Sequence, residues 1–514
     1  MLNARGFNSK WAAPLSEVLG IDYRSLGLFR IGLGLMIIWD LISRARFFTA
    51  HYTDDGVLPV GAVDVWASEY PIYFKGMFLS GEPWLPALFF LFAGLTAVGF
   101  TIGYRTRIMA FFCWFLLISI YMRNDLIYHA GDTLLLMLLF WSMFLPIEKK
   151  WSVDTLFNKA GAPITSVRYF SAASIALLFQ VKFMYFFAGL YKAEIPTWVD
   201  GTHLYLTLSR FEYVLPLGFM VYPYPDLLNV LTHFTLWIEI LGPALLLIPF
   251  LFGPVRVLVI LILVFFQLGM GSMMYVGLFS LVSVVAMIPF LPAWFWERMQ
   301  NLLKSKYHYV VRFKSKVGGY FSRVCSFIYT YQHEPEQESH KVDKGFSAVA
   351  GILILYVFAI NIDGLYYGVH TPLWFQDPAK YLNITQRWSL FTTPASHGGW
   401  FVGEAKLKNG EKVDILRQGE LIDYGEKPQQ ITREIDNYRW RIYLANNLRS
   451  SANEGYRPYF ADYLKERWNS NHAEKKAVKE FTFIEYRFEI GEDYDHGEAD
   501  KNILYSRNAT ETEE

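Results

Sequence analysis

The sequence predicts a polytopic α-helical membrane protein with about nine transmembrane helices and a C-terminal α+β soluble domain. Three observations predict it. Apolar runs of membrane-crossing length recur up to residue 363, alternating strand-like segments follow them, and the mean hydropathy of +0.21 lies between soluble and wholly membranous chains. Hydrophobic residues make up 53% and charged residues 18% of the 514 positions, an apolar share above that of an average soluble domain. The 43 Phe, 33 Tyr and 16 Trp suit helices whose rings fill wide gaps and sit at lipid headgroups. With 47 basic and 47 acidic residues the chain is neutral, so no nucleic-acid partner is expected. Cys113 and Cys325 alone cannot form a disulfide framework.

The apolar runs fall at 26–43, 84–103, 107–122, 131–147, 170–191, 227–251, 255–274, 276–292 and 347–363, each near the ~17–25 residues that cross a hydrocarbon core. The N-terminal segment lacks the apolar core and cleavage site of a signal peptide, so the first span is expected to direct insertion. Arg105, Arg107, Lys149, Lys150, Lys159, Arg168, Arg256 and the basic stretch Arg298 to Lys344 fall on one side if every run crosses once. The positive-inside rule makes that side cytoplasmic. The protein is then an integral multi-pass protein, as in a bacterial inner membrane, with its C-terminal domain on the non-cytoplasmic side. The runs 255–274 and 276–292 are joined by almost nothing and read as a tight hairpin or a re-entrant pair.

This reading divides the chain into a helical membrane unit (1–297), a basic cytoplasmic connector with an amphipathic helix (298–346), a last span (347–363), an extracytoplasmic α+β domain (364–491) and an acidic, disordered tail (492–514). In the α+β domain Asn409-Gly410 between alternating runs predicts a type I′ hairpin. FTFIEYRFEI predicts a strand at 481–490, and 431–449 and 457–469 read as helices.

Polar chemistry gathers in the loops 44–83, 123–131 and 192–226, all on the outer face by this count. Inside the spans, Arg30, Asp40, Lys182, His233 and Glu239 stand where a lone charge costs ~2.5–3.5 kcal/mol or more. Lys182 with Glu239 is the expected buried pair, fixing helix register rather than handling protons. Lys192 ends the fifth span after MYFFAGLY and before AEIPTWVDG. Aromatic surroundings disfavour its charged form and favour the neutral amine a general base needs, although a lysine that snorkels to headgroups gives the same pattern. In RNDLIYHAGDTLLL a helix would set Asp125 against His129 at i,i+4, and Asp132 would cap the fourth span. No HExxH or CxxC spacing points to a metal, and no Walker A, GxSxG or Rossmann pattern points to a nucleotide or an acyl enzyme.

Six segments in order resemble the HTTM (horizontally transferred transmembrane) family, the membrane domain shared by vitamin K-dependent γ-glutamyl carboxylases and their bacterial relatives. They are FRIGLGLMIIWDLISR with HYTDDGVLP, then YHAGD, FLPIEKKWSVD, YFFAGLYKAEIPTWVDGTHLYLTL, FFQLGMGSMMYVGLF and QRWSLFTTPASHGGWFV, spanning roughly residues 25–400. The resemblance implies that Lys192 is the base that deprotonates reduced vitamin K, with oxygen and carbon dioxide as co-substrates, and that His129 is an electrostatic stabiliser. It further implies a substrate-binding set drawn from the outer loops and the tail: Asp125, Tyr52, Trp198, Asp200, His203 and Trp388. This chain departs from the carboxylases at Gln267, where they carry a histidine, and in a shorter tail without their cysteine pair. Two functions follow. One is a carboxylase-like, quinol-coupled enzyme (a carbon–carbon lyase) acting on an exported peptide or small substrate. The alternative is a non-catalytic membrane factor for maturation or export of a secreted peptide.

Overall fold

The computed structural model describes residues 14–63, 71–157, 167–313, 344–363, 365, 371–421, 431, 437–491 and 496–507. In chain order the principal helices of the membrane unit are α1 (Tyr23–Ala45), α2 (Trp84–Ile102), α3 (Thr106–Met122), α4 (Ala130–Ser142), α5 (Ala172–Ala193), α6 (Pro225–Leu245), α7 (Phe252–Met273), α8 (Phe279–Ala286), α9 (Ala293–Phe313) and α10 (Lys344–Asp363). Six of them, α1, α2, α5, α6, α7 and α10, are long and apolar enough to cross a membrane. Among the described residues the expected count of about nine is not reached on that criterion, even with the bent pair that follows counted as a seventh span. The runs 107–122 and 131–147 yield helices of 17 and 13 residues. The run 276–292 breaks: α8 gives way to a 3-10 turn at Ile288–Phe290 and the chain bends by 92° into α9. Pro289 and Pro292 lack the amide donors a continuous helix needs there.

Local signals set the helix ends. The Asp22 carboxylate accepts the Arg24 amide at 2.8 Å ahead of α1, and Ser171 and Ser174 close a reciprocal capping box ahead of α5. α2 stops at Gly103, whose φ of 75° is left-handed and where a Cβ would meet the Arg30 guanidinium at 2.6 Å. A short antiparallel pair, β1 (Ile21–Asp22) with β2 (Arg168–Tyr169), ties the start of α1 to the start of α5.

Most of the intramembrane charges find partners within the fold, and one expected pairing is corrected. Arg30 donates to the carbonyls of Ile147, Lys150 and Trp151 at 2.5–3.3 Å, securing the chain that leaves α4. His233 lies between the carbonyls of Asn229 and Val199. Lys182 does not meet Glu239: its Nζ has no hydrogen-bond partner and lies 5.0 Å from the Phe179 ring centroid. Glu239 pairs with Lys192 instead.

Beyond α10, α11 (Leu373–Tyr381) leads to a five-stranded antiparallel sheet in the order β5-β4-β3-β6-β7, from β3 (His397–Leu407), β4 (Lys412–Asp414), β5 (Glu420–Leu421), β6 (Val478–Glu489) and β7 (Asp500–Arg507). Cross-strand stacks of Trp400 on Tyr486 and Phe401 on Phe483 hold its long central pair. The hairpin at Asn409-Gly410 forms, but not as type I′. Only Gly410 of the pair takes the left-handed region (φ 88°), and the Leu407 carbonyl accepts the Gly410 amide at 2.9 Å. The disordered tail is also corrected, since β7 pairs with β6 through residues 500–507. The expected helix 431–449 is described from α12 (Tyr438–Arg441), which runs on as a π-helical stretch Ile442–Leu448, and α13 (Arg457–Asn471) matches the second expected helix. Residues 314–343 of the basic connector and 492–495 and 508–514 of the tail lie outside the described residues, as do Lys159 and the side chains of Lys304, Lys306 and Arg312.

One apolar core runs from the bundle into this domain. Two buried charge clusters lock them together. Arg439, at the start of α12, reaches Asp40 of α1 at 2.5 Å and Asp132 of α4 at 3.1 Å, and Arg44 bridges the same two carboxylates at 2.8 Å. Arg449 pairs with Glu212 at 3.0 Å and Glu485 at 2.5 Å, joining the segment after α5 to β6.

Candidate functional site

α5 ends in an aromatic setting, and the short turns that follow fold back over it. There Lys192 is 2% exposed and its Nζ donates to Glu239 Oε2 at 2.6 Å. The Trp198 ring centroid lies 5.3 Å from the same Nζ. Trp198 is held in turn by a bond from Nε1 to the Phe391 carbonyl at 2.8 Å and by the His203 ring stacked on it at 4.3 Å. Thr197 hydrogen-bonds His203 Nδ1 at 2.8 Å. Burial pushes the His203 imidazole down to about 4, and the Lys192 charge adds to the effect, so the ring that backs Trp198 is neutral at pH 7.

The Lys192–Glu239 pair lines a cavity of about 450 Å³, within the range of small-molecule sites. Its other walls are almost wholly apolar, with Phe234 from α6, Phe266 and Met270 from α7, Phe279 and Phe391 among them. A second cavity of about 380 Å³ adjoins it. Thr207, Phe279, Leu390 and Phe391 line both, so these side chains form a shared partition. The second cavity is more polar and holds His129, Arg210 and Arg441. Arg441 is 4% exposed, stacks on Tyr213 at 3.9 Å, and leaves Nε and Nη1 without hydrogen-bond partners.

His129, not Asp132, is the N-cap of α4. Its Nδ1 accepts the Gly131 amide at 2.7 Å, while Asp132 reaches back to the His129 amide at 3.2 Å. An Nδ1 that accepts leaves the proton of a neutral ring on Nε2, and Nε2 is buried without a hydrogen-bond partner. Burial lowers the His129 pKa to about 4, with Arg439 and Arg44 lowering it further against the opposing charge of Asp132. His129 is therefore a neutral N–H donor beside the second cavity. The helical pairing of Asp125 with His129 is absent, because Asp125–Ile127 forms a 3-10 turn.

The remaining predicted binding residues separate. Trp198 lines the Lys192 cavity and His203 supports it from behind. Asp125 is exposed and lines a third cavity of about 250 Å³ with Tyr128, which faces the second cavity as well. Tyr52 is fully buried, accepts a bond from Arg44 at 2.8 Å, and lines none of these cavities. Asp200 lies outside them too and closes its own turn through Thr202. Trp388 is fully buried and donates to Gln386 at 2.7 Å, within a chain that runs through Gln180 to Trp141. Gln267, at the departure from the carboxylase pattern, donates to the Tyr185 hydroxyl at 2.9 Å.

Sequence reasoning missed Glu239 as the partner of Lys192, and it missed Arg439 and Arg441. An acid alone in an apolar span signals a required partner, but the choice between Lys182 and Lys192 turns on depth. No comparable signal marks either arginine, since both sit in a segment rich in Arg.

No curated protein and no solved structure matches the chain. The profile of the HTTM domain matches residues 20–294, which hold α1 to α8, the Lys192–Glu239 pair and His129. That match covers more than half of the 514 residues, and the chain is a member of the HTTM domain family.

Proposed function

We propose that the protein is a membrane enzyme of the vitamin K-dependent carboxylase type, which couples a reduced quinol to modification of a second substrate, with Lys192 as general base. The observation that carries this reading is a buried lysine–carboxylate pair in the wall of an otherwise apolar cavity, one partition away from a polar cavity. The residues fit such a quinol: the aromatic walls suit a fused ring, and Lys192 Nζ is the cation beside it. When bound, a reduced vitamin K-type quinol would supply, with oxygen, the strong base that lets carbon dioxide add to the second substrate.

The chain's own groups have distinct tasks. A proton passed from Lys192 to Glu239 leaves an amine that accepts a proton from a hydroxyl at Nζ. Trp198, Phe266 and Phe391 exclude water, which protects strongly basic species. His129 offers Nε2–H, and Arg441 offers two unpaired donor nitrogens, to an anionic group in the second cavity. That cavity suits the side chain of an exported peptide or a small carboxylate. The same reading sets the domain-capped end on the non-cytoplasmic side of a bacterial inner membrane.

The test is epoxide formation from vitamin K hydroquinone by purified protein in nanodiscs, wild type against Lys192→Ala. Loss of epoxide in the variant is the expected result. Unchanged formation would remove the base role and leave the second reading, a non-catalytic factor for maturation or export of a secreted peptide.

A further inference from the structure

One side of the Lys192 cavity is walled by two neighbouring membrane helices whose far sides face outward. Leu231, Phe234, Thr235 and Glu239 belong to α6, and Ile262, Phe265, Phe266, Gly269, Met270 and Met273 to α7. Phe265 is 69% exposed and Phe234 43% exposed, so both rings line the cavity and also reach the surface that meets lipid. The two helices are close at one level and apart at another. At Gly242 an added Cβ would lie 3.3 Å from Leu263, in tight contact; at Gly269 it would meet nothing within 4 Å. Pro243 lies one turn beyond Glu239 and cannot donate to the Glu239 carbonyl. The break in the ladder thus lies between the close contact at Gly242 and the cavity wall at Glu239. The Phe234 and Phe266 rings meet edge to face at 6.4 Å, so the two helices touch at that level and the gap lies beside Gly269.

We infer that this gap is a lateral portal: the Lys192 cavity opens into the bilayer between α6 and α7, and holds a single-tailed membrane lipid with its ring end at Lys192 and its tail beside Gly269. The ring's position rests on the proposed function, whereas the tail's position rests on the cleft alone. The geometry favours a lipid over a water-soluble ligand because the gap is rimmed by Phe234, Phe265 and Leu268, all exposed on helices that cross the membrane. An apolar substrate drawn from the bilayer need not cross water to reach Lys192.

Two measurements test this on the full-length protein in nanodiscs, with Cys113 and Cys325 replaced by Ala. First, a nitroxide at Gly269→Cys is expected to collide more with dissolved oxygen than with a water-soluble nickel chelate; the reverse preference would overturn the portal. Second, Gly269→Phe fills the cleft. By native mass spectrometry it should lower occupancy by menaquinone-4 about tenfold and leave the tailless menadione within about threefold of wild type. Unchanged menaquinone-4 occupancy, or equal loss of both probes, would overturn the tail site. Phe265→Ala, which widens the gap at an exposed position, should keep or raise menaquinone-4 occupancy, and a fall with menadione unchanged would overturn the portal. Neither readout involves turnover, so failure of Lys192 as a base would leave them unchanged.

Discussion

Glu239 Oε2 accepts a 2.6 Å hydrogen bond from Lys192 Nζ, tying the end of α5 to the interior of α6. Neither group has another ion-pair partner among the described residues, so each neutralises the other within the apolar wall. Removing one partner strands a charge, at a cost of about 3–5 kcal/mol, whereas replacing both can be close to neutral. Lys192→Met should therefore lower the thermal midpoint in detergent sharply, and Lys192→Met with Glu239→Leu should restore most of it without restoring activity. A double variant no more stable than the single one would show that the pair is not an isolated unit.

Arg439 is one of the buried ties between the C-terminal domain and the bundle. It touches Asp40, Asp132 and the Ile127 carbonyl, and all three side chains are buried. In Arg439→Met the two carboxylates keep the Tyr121 hydroxyl and the His129 amide but share Arg44 alone as arginine partner, leaving a net negative charge where water is scarce. The expected cost is about 3–5 kcal/mol, read as faster hydrogen exchange in residues 437–448 and earlier proteolytic release of the C-terminal domain. Protection equal to wild type would assign the docking to the Arg449 cluster instead.

Acid should destabilise the protein through its buried histidines. His129 and His203 both fall from 6.5 to about 4, chiefly by burial. Between those values the unfolded chain binds protons that the folded one refuses, so stability rises with pH across this window. Their contribution is full above about pH 6.5 and is lost as the pH falls toward 4. Unfolding midpoints followed from pH 7.5 to 4.5 should decline, and His203→Gln should flatten the decline. An unaltered slope in that variant would place the proton uptake elsewhere.

Trp388 should matter for stability rather than for ligand affinity. Its indole ends a buried chain through Gln386 and Gln180 to Trp141 that links the segment after α11 to α5 and α4. Gln386→Leu strips partners from Gln180 and Trp388 and should cost about 1–3 kcal/mol. Trp388→Phe should lower the thermal midpoint while leaving menaquinone-4 occupancy within error. A selective loss of occupancy would return Trp388 to the binding site.

The sequence by itself determined the membrane character, the order of the helices, the family and the lysine at the end of α5. Those follow from run length, composition and contiguous motifs, all of which are local. It also marked the intramembrane charges as needing partners, because an unpaired charge in hydrocarbon is costly whatever the fold. Which partner each one takes was decided by tertiary structure. Lys182 and Lys192 are ten residues apart on one helix, and only the depth at which α6 packs on α5 brings Glu239 to the second. The run 276–292 turns by 92° at Pro289 and Pro292, which lack the amides a continuous helix needs, so its length alone did not make it a span. Arg439 lies 307 residues from Asp132, and no local pattern encodes a contact between a C-terminal helix and the start of α4. The gap between α6 and α7 is likewise a property of two helices together: Gly242 and Gly269 are both glycines in apolar runs, and only packing makes one a contact and the other an opening.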